Sequence, residues 1–151
     1  MPAELGKKFR KRIAAADAAL RQITEESSQK PDSEGVWSRK EVVGHLLDSA
    51  VNNHVRFAIA ALNGSYTGPE YDGPAWVRVH GYAQLPFAVL VEHWRSHNEM
   101  LANLVDRINS EALSGVCRIS NNEPVTLQFL IEDYLDHLDH HVKQITERAA
   151  T

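Results

Sequence analysis

The sequence has a single cysteine, Cys117, so no disulfide can form within the chain and no cluster of thiolates can bind a metal. That usage suits a reducing compartment. With no histidine near it in sequence, Cys117 reads as a passive, partly buried thiol and not as a nucleophile. Long hydrophobic runs are missing as well. No apolar stretch approaches the ~20 residues that cross a bilayer, and Met1 leads straight into a charged segment where a signal peptide would need an apolar one. A cytoplasmic protein with no membrane partner is expected. Nor is there a basic excess: the formal charge is -4 and the pI is near 6.0, which argues against a nucleic-acid partner. The one dense basic run, Lys7 to Arg12, falls where Leu5, Phe9, Ile13, Ala16, Leu20 and Ile23 recur at helical spacing, and it reads as a solvated helix face. Internal repeats and low-complexity tracts are absent too. At 151 residues and 43% hydrophobic, residues 1–151 are expected to form one domain with a single core.

Four segments carry helical periodicity, which predicts an all-α four-helix bundle. The first helix is predicted over Ala3 to Ser28, ending before Pro31 and Gly35. The second has a clear start: Ser38 is placed to cap it, Glu41 three residues later to close a capping box, and Trp37 and Val42 to form a hydrophobic staple. It is predicted to run to Asn63. A connection rich in glycine and proline follows, reaching Leu85, which is long for a compact domain. Its aromatics Tyr66, Tyr71, Trp76 and Tyr82 suggest either a crossover strapped to the bundle or a lid over a site. The third helix is predicted over Pro86 to Asn109, then a loop or short hairpin, then a fourth helix from Thr126 to Arg148 with Thr126 as its cap.

The fourth helix contains "DYLDHLDHHVKQI", with three histidines in five positions. At 100° per residue, Leu127, Ile131, Tyr134, Leu135, Leu138, Val142 and Ile145 form its apolar face. His137 and His141 flank that face together, while His140 points with Asp133, Asp136 and Lys143 to the far side. Two histidines at i and i+4 can reach one ion, but so could His93 and His97 on the third helix, and an HxxxH at a helix margin needs no metal. A bundle site requires a further ligand from a facing helix. The second helix offers His45, in a polar stripe with Asp48, Ser49, Asn52 and Arg56. A stripe of this kind is more often solvent-facing.

Three segments, "GVWSRKEVVGHLLDSAVNNHVRF", "YDGPAW" and "EPVTLQFLIEDYLDHLDHHVKQI", come in an order and at separations that resemble the DinB-like superfamily of four-helix bundles, most closely its YfiT-like branch. The resemblance spans Gly35 to Thr146. It implies that His45, His137 and His141 bind one divalent ion, and it assigns no ligand role to His93 or His97. It also implies a homodimer, for which the loop aromatics could serve as anchors if they are not packed within the chain. The residues after Asp48 and Ser49, and Lys143 and Gln144 where relatives often carry a further histidine, depart from the pattern and bear on the substrate.

Three neutral imidazoles leave a coordination position open, as in catalytic sites, and all-nitrogen ligation suits zinc or nickel better than magnesium or calcium. Such a site could activate water for hydrolysis or a low-molecular-weight thiol for transfer to a small-molecule substrate. Hydrolysis is the first expectation, with thiol transfer, or a non-catalytic bundle in which the ion pins two helices together, as the alternatives. Asp48 is the candidate general base, and Asp48, Asn52 and Tyr134 are candidates to orient the imidazoles.

Overall fold

The computed structural model describes residues 2–31 and 35–147. In chain order the elements are α1 (Pro2–Leu20), α2 (Glu25–Gln29), α3 (Arg39–Asn63), β1 (Tyr66–Gly68), α4 (Gly73–His80), a 3-10 turn (Tyr82–Gln84), α5 (Phe87–Arg107), α6 (Ser110–Leu113), β2 (Val116–Ile119), β3 (Val125–Thr126) and α7 (Leu127–Thr146). The four long helices form the expected bundle. α1 lies against α5 and α7, and α3 lies against the same two. The core is the sum of their apolar stripes, and every residue predicted for the α7 face is buried, from Leu127 to Ile145. Burying one such Leu or Ile side chain contributes roughly 1.5–3 kcal/mol, so these stripes set which face of each helix turns inward.

α3 begins as its sequence dictates. The Ser38 side chain accepts from the Glu41 backbone N–H at 3.3 Å, and the Ser38 N–H donates to the Glu41 carboxylate at 3.1 Å. At its far end Gly64 takes a left-handed conformation (φ 78°) and its N–H closes on the Ala60 carbonyl.

The first predicted helix is in fact two. α1 stops at Leu20, and after a turn Thr24 caps the short α2 by accepting from the Ser27 N–H. The break pays for itself in contacts, since it turns Glu25 toward Lys40 (2.8 Å) and toward the Phe87 N–H (2.9 Å) at the start of α5. At the C-terminal end of α5, Arg107 is the last helical residue because Asn109 accepts from the Ala112 N–H and so caps α6. α7 starts after its predicted cap, Thr126, which accepts from the Phe129 N–H at 3.0 Å; Arg148, its predicted end, lies outside the described residues.

The long connection is ordered. β1 runs parallel to β2, and β2 pairs antiparallel with β3, giving a small sheet and resolving the loop-or-hairpin segment as a hairpin. Asp72 caps α4 by accepting from the Ala75 N–H, and Gly81 ends it at φ 61°. Tyr82 then lies flat on α3. A Cβ at Gly44 would sit 2.0 Å from the Tyr82 ring, so only glycine lets the ring approach. The Tyr82 hydroxyl donates to Asp48 at 2.5 Å, His80 stacks on the Tyr82 ring, and Trp76 and Tyr71 continue the series outward. The connection is therefore a strap. Tyr82 is buried and the other three loop aromatics are half-buried within the chain.

The strap changes the environment of α3. His45, Asp48, Ser49 and Arg56, which the sequence pattern would leave in solvent, are all buried, with Asn52 half-buried. Alanine ordinarily stabilises a helix relative to glycine by about 1 kcal/mol, but Gly44→Ala should destabilise this protein by about 1–3 kcal/mol through the clash with Tyr82. Urea denaturation monitored by circular dichroism checks this, and a variant as stable as wild type would show that the ring can pack elsewhere at no cost.

Candidate metal centre

α3 carries His45 toward α7, and one turn of α7 separates His137 from His141. The three imidazoles meet where the helices do. Ring centroids lie 5.3 Å apart for His45 and His137, 4.9 Å for His45 and His141, and 4.6 Å for His137 and His141. One nitrogen from each falls within 4.8 Å of the others, and among the described residues this is the only set of three or more His, Cys, Asp or Glu side chains arranged so closely.

The donor set fits a transition-metal ion on three counts. The Nε2 atoms of His137 and His141 are 3.2 Å apart, close to the roughly 3.3 Å between two nitrogens sharing a tetrahedral ion at about 2.0–2.1 Å. His45 Nδ1 is buried with no hydrogen-bond partner, a condition a ligated or otherwise satisfied nitrogen would remove. All three groups also favour the neutral, ligating form. Burial first, then the charges of His141 and His137, pushes His45 down to about 4; burial and the charge of His137 push His141 to about 4; burial lowers His137 as well.

Other groups hold the rings in place. Trp37 tilts against His45 at 5.0 Å, and Gly73 of α4 sits so close that a Cβ there would lie 3.3 Å from His45 Cε1. Gln144 Oε1 is 3.3 Å from His141 Nδ1. None of the three residues expected to orient the imidazoles does so by a direct hydrogen bond. Asn52 donates to the Asp48 backbone carbonyl, Tyr134 donates to Asn98, and Asp48 accepts from Tyr82 with His80 Nδ1 at 3.5 Å. The reason is reach: i+4 geometry returns Asn52 to its own helix, and Tyr134 is drawn into the core beside Phe57 and Phe9. Gln144, three residues after His141, carried a helical-spacing signal for this role.

Asp48 lies one turn beyond His45. Its carboxyl is 2% exposed and its Oδ2 has no hydrogen-bond partner, so burial raises its pKa while the Tyr82 hydroxyl acts in the opposite sense. His140 is exposed, as predicted. His97 is half-buried and pairs with His54 on α3 (3.1 Å), while His93 stays exposed, so this second HxxxH sits at a core margin. A cleft of about 520 Å3 opens beside His45, lined also by Arg56, Tyr71 and Gly73 and by residues between Ile119 and Asp133, Phe129 and Leu130 among them.

The lowered histidines fix a pH dependence. Between about pH 6.5 and pH 4 the unfolded chain takes up protons that the folded, metal-free site refuses, so stability falls as pH falls through that window. The urea midpoint of EDTA-treated protein should drop between about pH 7 and pH 5, and His45→Gln should make the drop smaller. An equal drop in wild type and variant would mean that the site does not exclude protons.

The chain and its architecture have counterparts. YfiT of Bacillus subtilis is 26% identical over 130 residues, covering 85% of this chain and 73% of that protein. A protein of Oceanobacillus iheyensis is 24% identical over 123 residues, covering 82% and 70%. Both are named for metal-dependent hydrolysis. The solved YfiT structure, described as that of a probable metal-dependent hydrolase with an unusual four-helix bundle topology, superposes with a TM-score of 0.82 at 22% identity, over 94% of this chain and 84% of that one. The mycothiol-dependent maleylpyruvate isomerase shares the fold at a TM-score of 0.78 and 14% identity; it matches the whole of this chain, which spans 62% of that one. The sequence pattern of the DinB superfamily matches residues 8–145, and the chain belongs to that superfamily.

Proposed function

We propose that the protein is a metal-dependent hydrolase that acts on a small molecule bound in the cleft beside His45. The observation that carries this reading is the convergence of three neutral nitrogen donors, His45, His137 and His141, one of which, His45, lines a cleft large enough for a small-molecule substrate. Nitrogen-only donation favours zinc or nickel. A divalent transition ion held there would supply Lewis acidity and lower the pKa of a water or thiol beside it. Relatives named for metal-dependent hydrolysis support the same class.

The chain's own residues do the rest. Asp48 is the proton acceptor: its carboxylate lies one turn from His45, has an oxygen free of protein partners, and is held toward neutrality by burial. Tyr82 fixes its rotamer, and His80, whose Nδ1 donates to the Trp76 carbonyl, lies 3.5 Å from it. Trp37 and Gly73 close on the His45 ring and keep bulk water from its faces. A second reading, transfer of a low-molecular-weight thiol, is favoured by the shared fold with a mycothiol-dependent isomerase and by a cleft that can take more than a water. A requirement for added thiol separates the two.

Elemental analysis of protein purified without an affinity tag is the first test. We expect near one zinc or nickel per chain, lost in His45→Ala and kept in His140→Ala; a metal-free wild type that takes up neither ion would end the hydrolase reading. In a screen of amide and ester substrates, Asp48→Asn should keep its metal and lose about 100-fold or more in turnover. Tyr82→Phe, which removes the same hydrogen bond but leaves the carboxylate, should retain most of it. Equal losses in both would assign Asp48 to packing.

A further inference from the structure

Arg56 is the cation in the cleft, and the metal-centre reading gives it no part. It lies eleven residues after His45, so three turns of α3 return it to the same side of the helix, about 16 Å further along. Its side chain is buried, yet no carboxylate of the described residues lies within ion-pair distance. One hydrogen bond, from Nη2 to the Pro69 carbonyl at 3.2 Å, and the face of Tyr71, 5.7 Å from Cζ, are its partners. A guanidinium has five N–H donors in a planar fork. The others are left for a ligand, because Arg56 and His45 line one cleft.

We infer that Arg56 recognises the carboxylate of the substrate, so that the cleft selects a monocarboxylate whose reacting group lies several bonds away, toward His45. This rests on the reading of the three histidines as a reaction centre entered from this cleft. Three further features define the ligand. Ile119, Val125, Phe129 and Leu130 line the same cleft and give it an apolar surface suited to an acyl or aryl group. Glu70, Glu123 and Asp133 are exposed at the rim, where their charge opposes a second anionic group on the ligand. Glu70 is fixed there by Asn122, which donates to it at 2.7 Å. An anion that reaches Arg56 meets a cation whose protein partners are only a carbonyl and a ring face, and a guanidinium matches a carboxylate with two parallel hydrogen bonds.

The test compares hippurate, a monocarboxylate with an aryl acyl group, with neutral hippuramide. Binding is followed by heteronuclear NMR titration of the full chain, both metal-free and zinc-loaded. Hippurate should bind at least about tenfold more tightly than hippuramide to the metal-free protein, as a charge-assisted pair requires. Arg56→Met should erase the ratio, Arg56→Lys should keep part of it, and Arg118→Ala on the exposed face of β2 should leave it unchanged. Circular dichroism of each variant verifies folding, and Arg56→Lys decides the matter if Arg56→Met does not fold. Equal binding of the two probes, or a preference that survives Arg56→Met, would overturn the assignment. A preference seen only with zinc and indifferent to Arg56 would place the carboxylate on the metal, which removes this inference and leaves the metal centre standing. An Arg56-dependent preference in a protein that never takes up metal would do the reverse.

Discussion

The packing of the Tyr82 ring on Gly44 fastens the strap to α3, and the character of the whole site depends on it. Without the strap, α3 would show water a row of polar side chains and the histidine on it would be an ordinary surface residue. With it, His45 and Asp48 are enclosed, their pKa values move in opposite directions for the same reason, and a cleft forms at the edge of the cover. Desolvation opposes charge, so it depresses an imidazole and raises a carboxyl. The result is a neutral donor beside a carboxyl brought closer to neutrality, a pairing that solvent exposure would not produce.

The strap is held from both ends. Its first residues pair with β2, which leads through the hairpin into α7, and its last aromatic lies on Gly44 of α3. The segment that covers the site is thus tied to the two helices that supply the histidines. The sheet is small, but it joins parts of the chain about 50 residues apart, Tyr66 facing Cys117. Cys117 is fully buried in it, with a thiol pushed up by burial, in keeping with a packing role.

Among the described residues two histidine groups lie between helices, and comparing them shows what lets one, and not the other, offer three donors to an ion. His54 and His97 approach as closely as His137 and His141 do. What they lack is a third donor: His93, one turn from His97, has its ring centroid 6.5 Å away and faces outward. At the other group, α3 contributes His45 from inside the covered stripe. Spacing on one helix supplies a pair, and only the meeting of two helices supplies the third donor.

Much of this was legible in the sequence. Apolar residues at helical spacing determined the four helices and the buried face of α7, because a stripe that leaves water on folding has one way to face. The capping box at Ser38 and the cap at Thr126 marked helix starts by local hydrogen bonding alone, and the wheel separated His137 and His141 from His140. Other features depended on partners far along the chain. The break after Leu20 answers to Lys40 and Phe87, the polar row on α3 is buried by a strap some 13 to 34 residues away, and Arg56 lacks a carboxylate only because of what packs around it. The loop aromatics suggested a strap, and on α3 itself Gly44 was the local sign of where it lands, since a glycine inside a helix is costly unless something must come close. Periodicity reports which residues share a face; whether that face meets water, protein or a cleft is set by the other elements, and only the tertiary structure decided it.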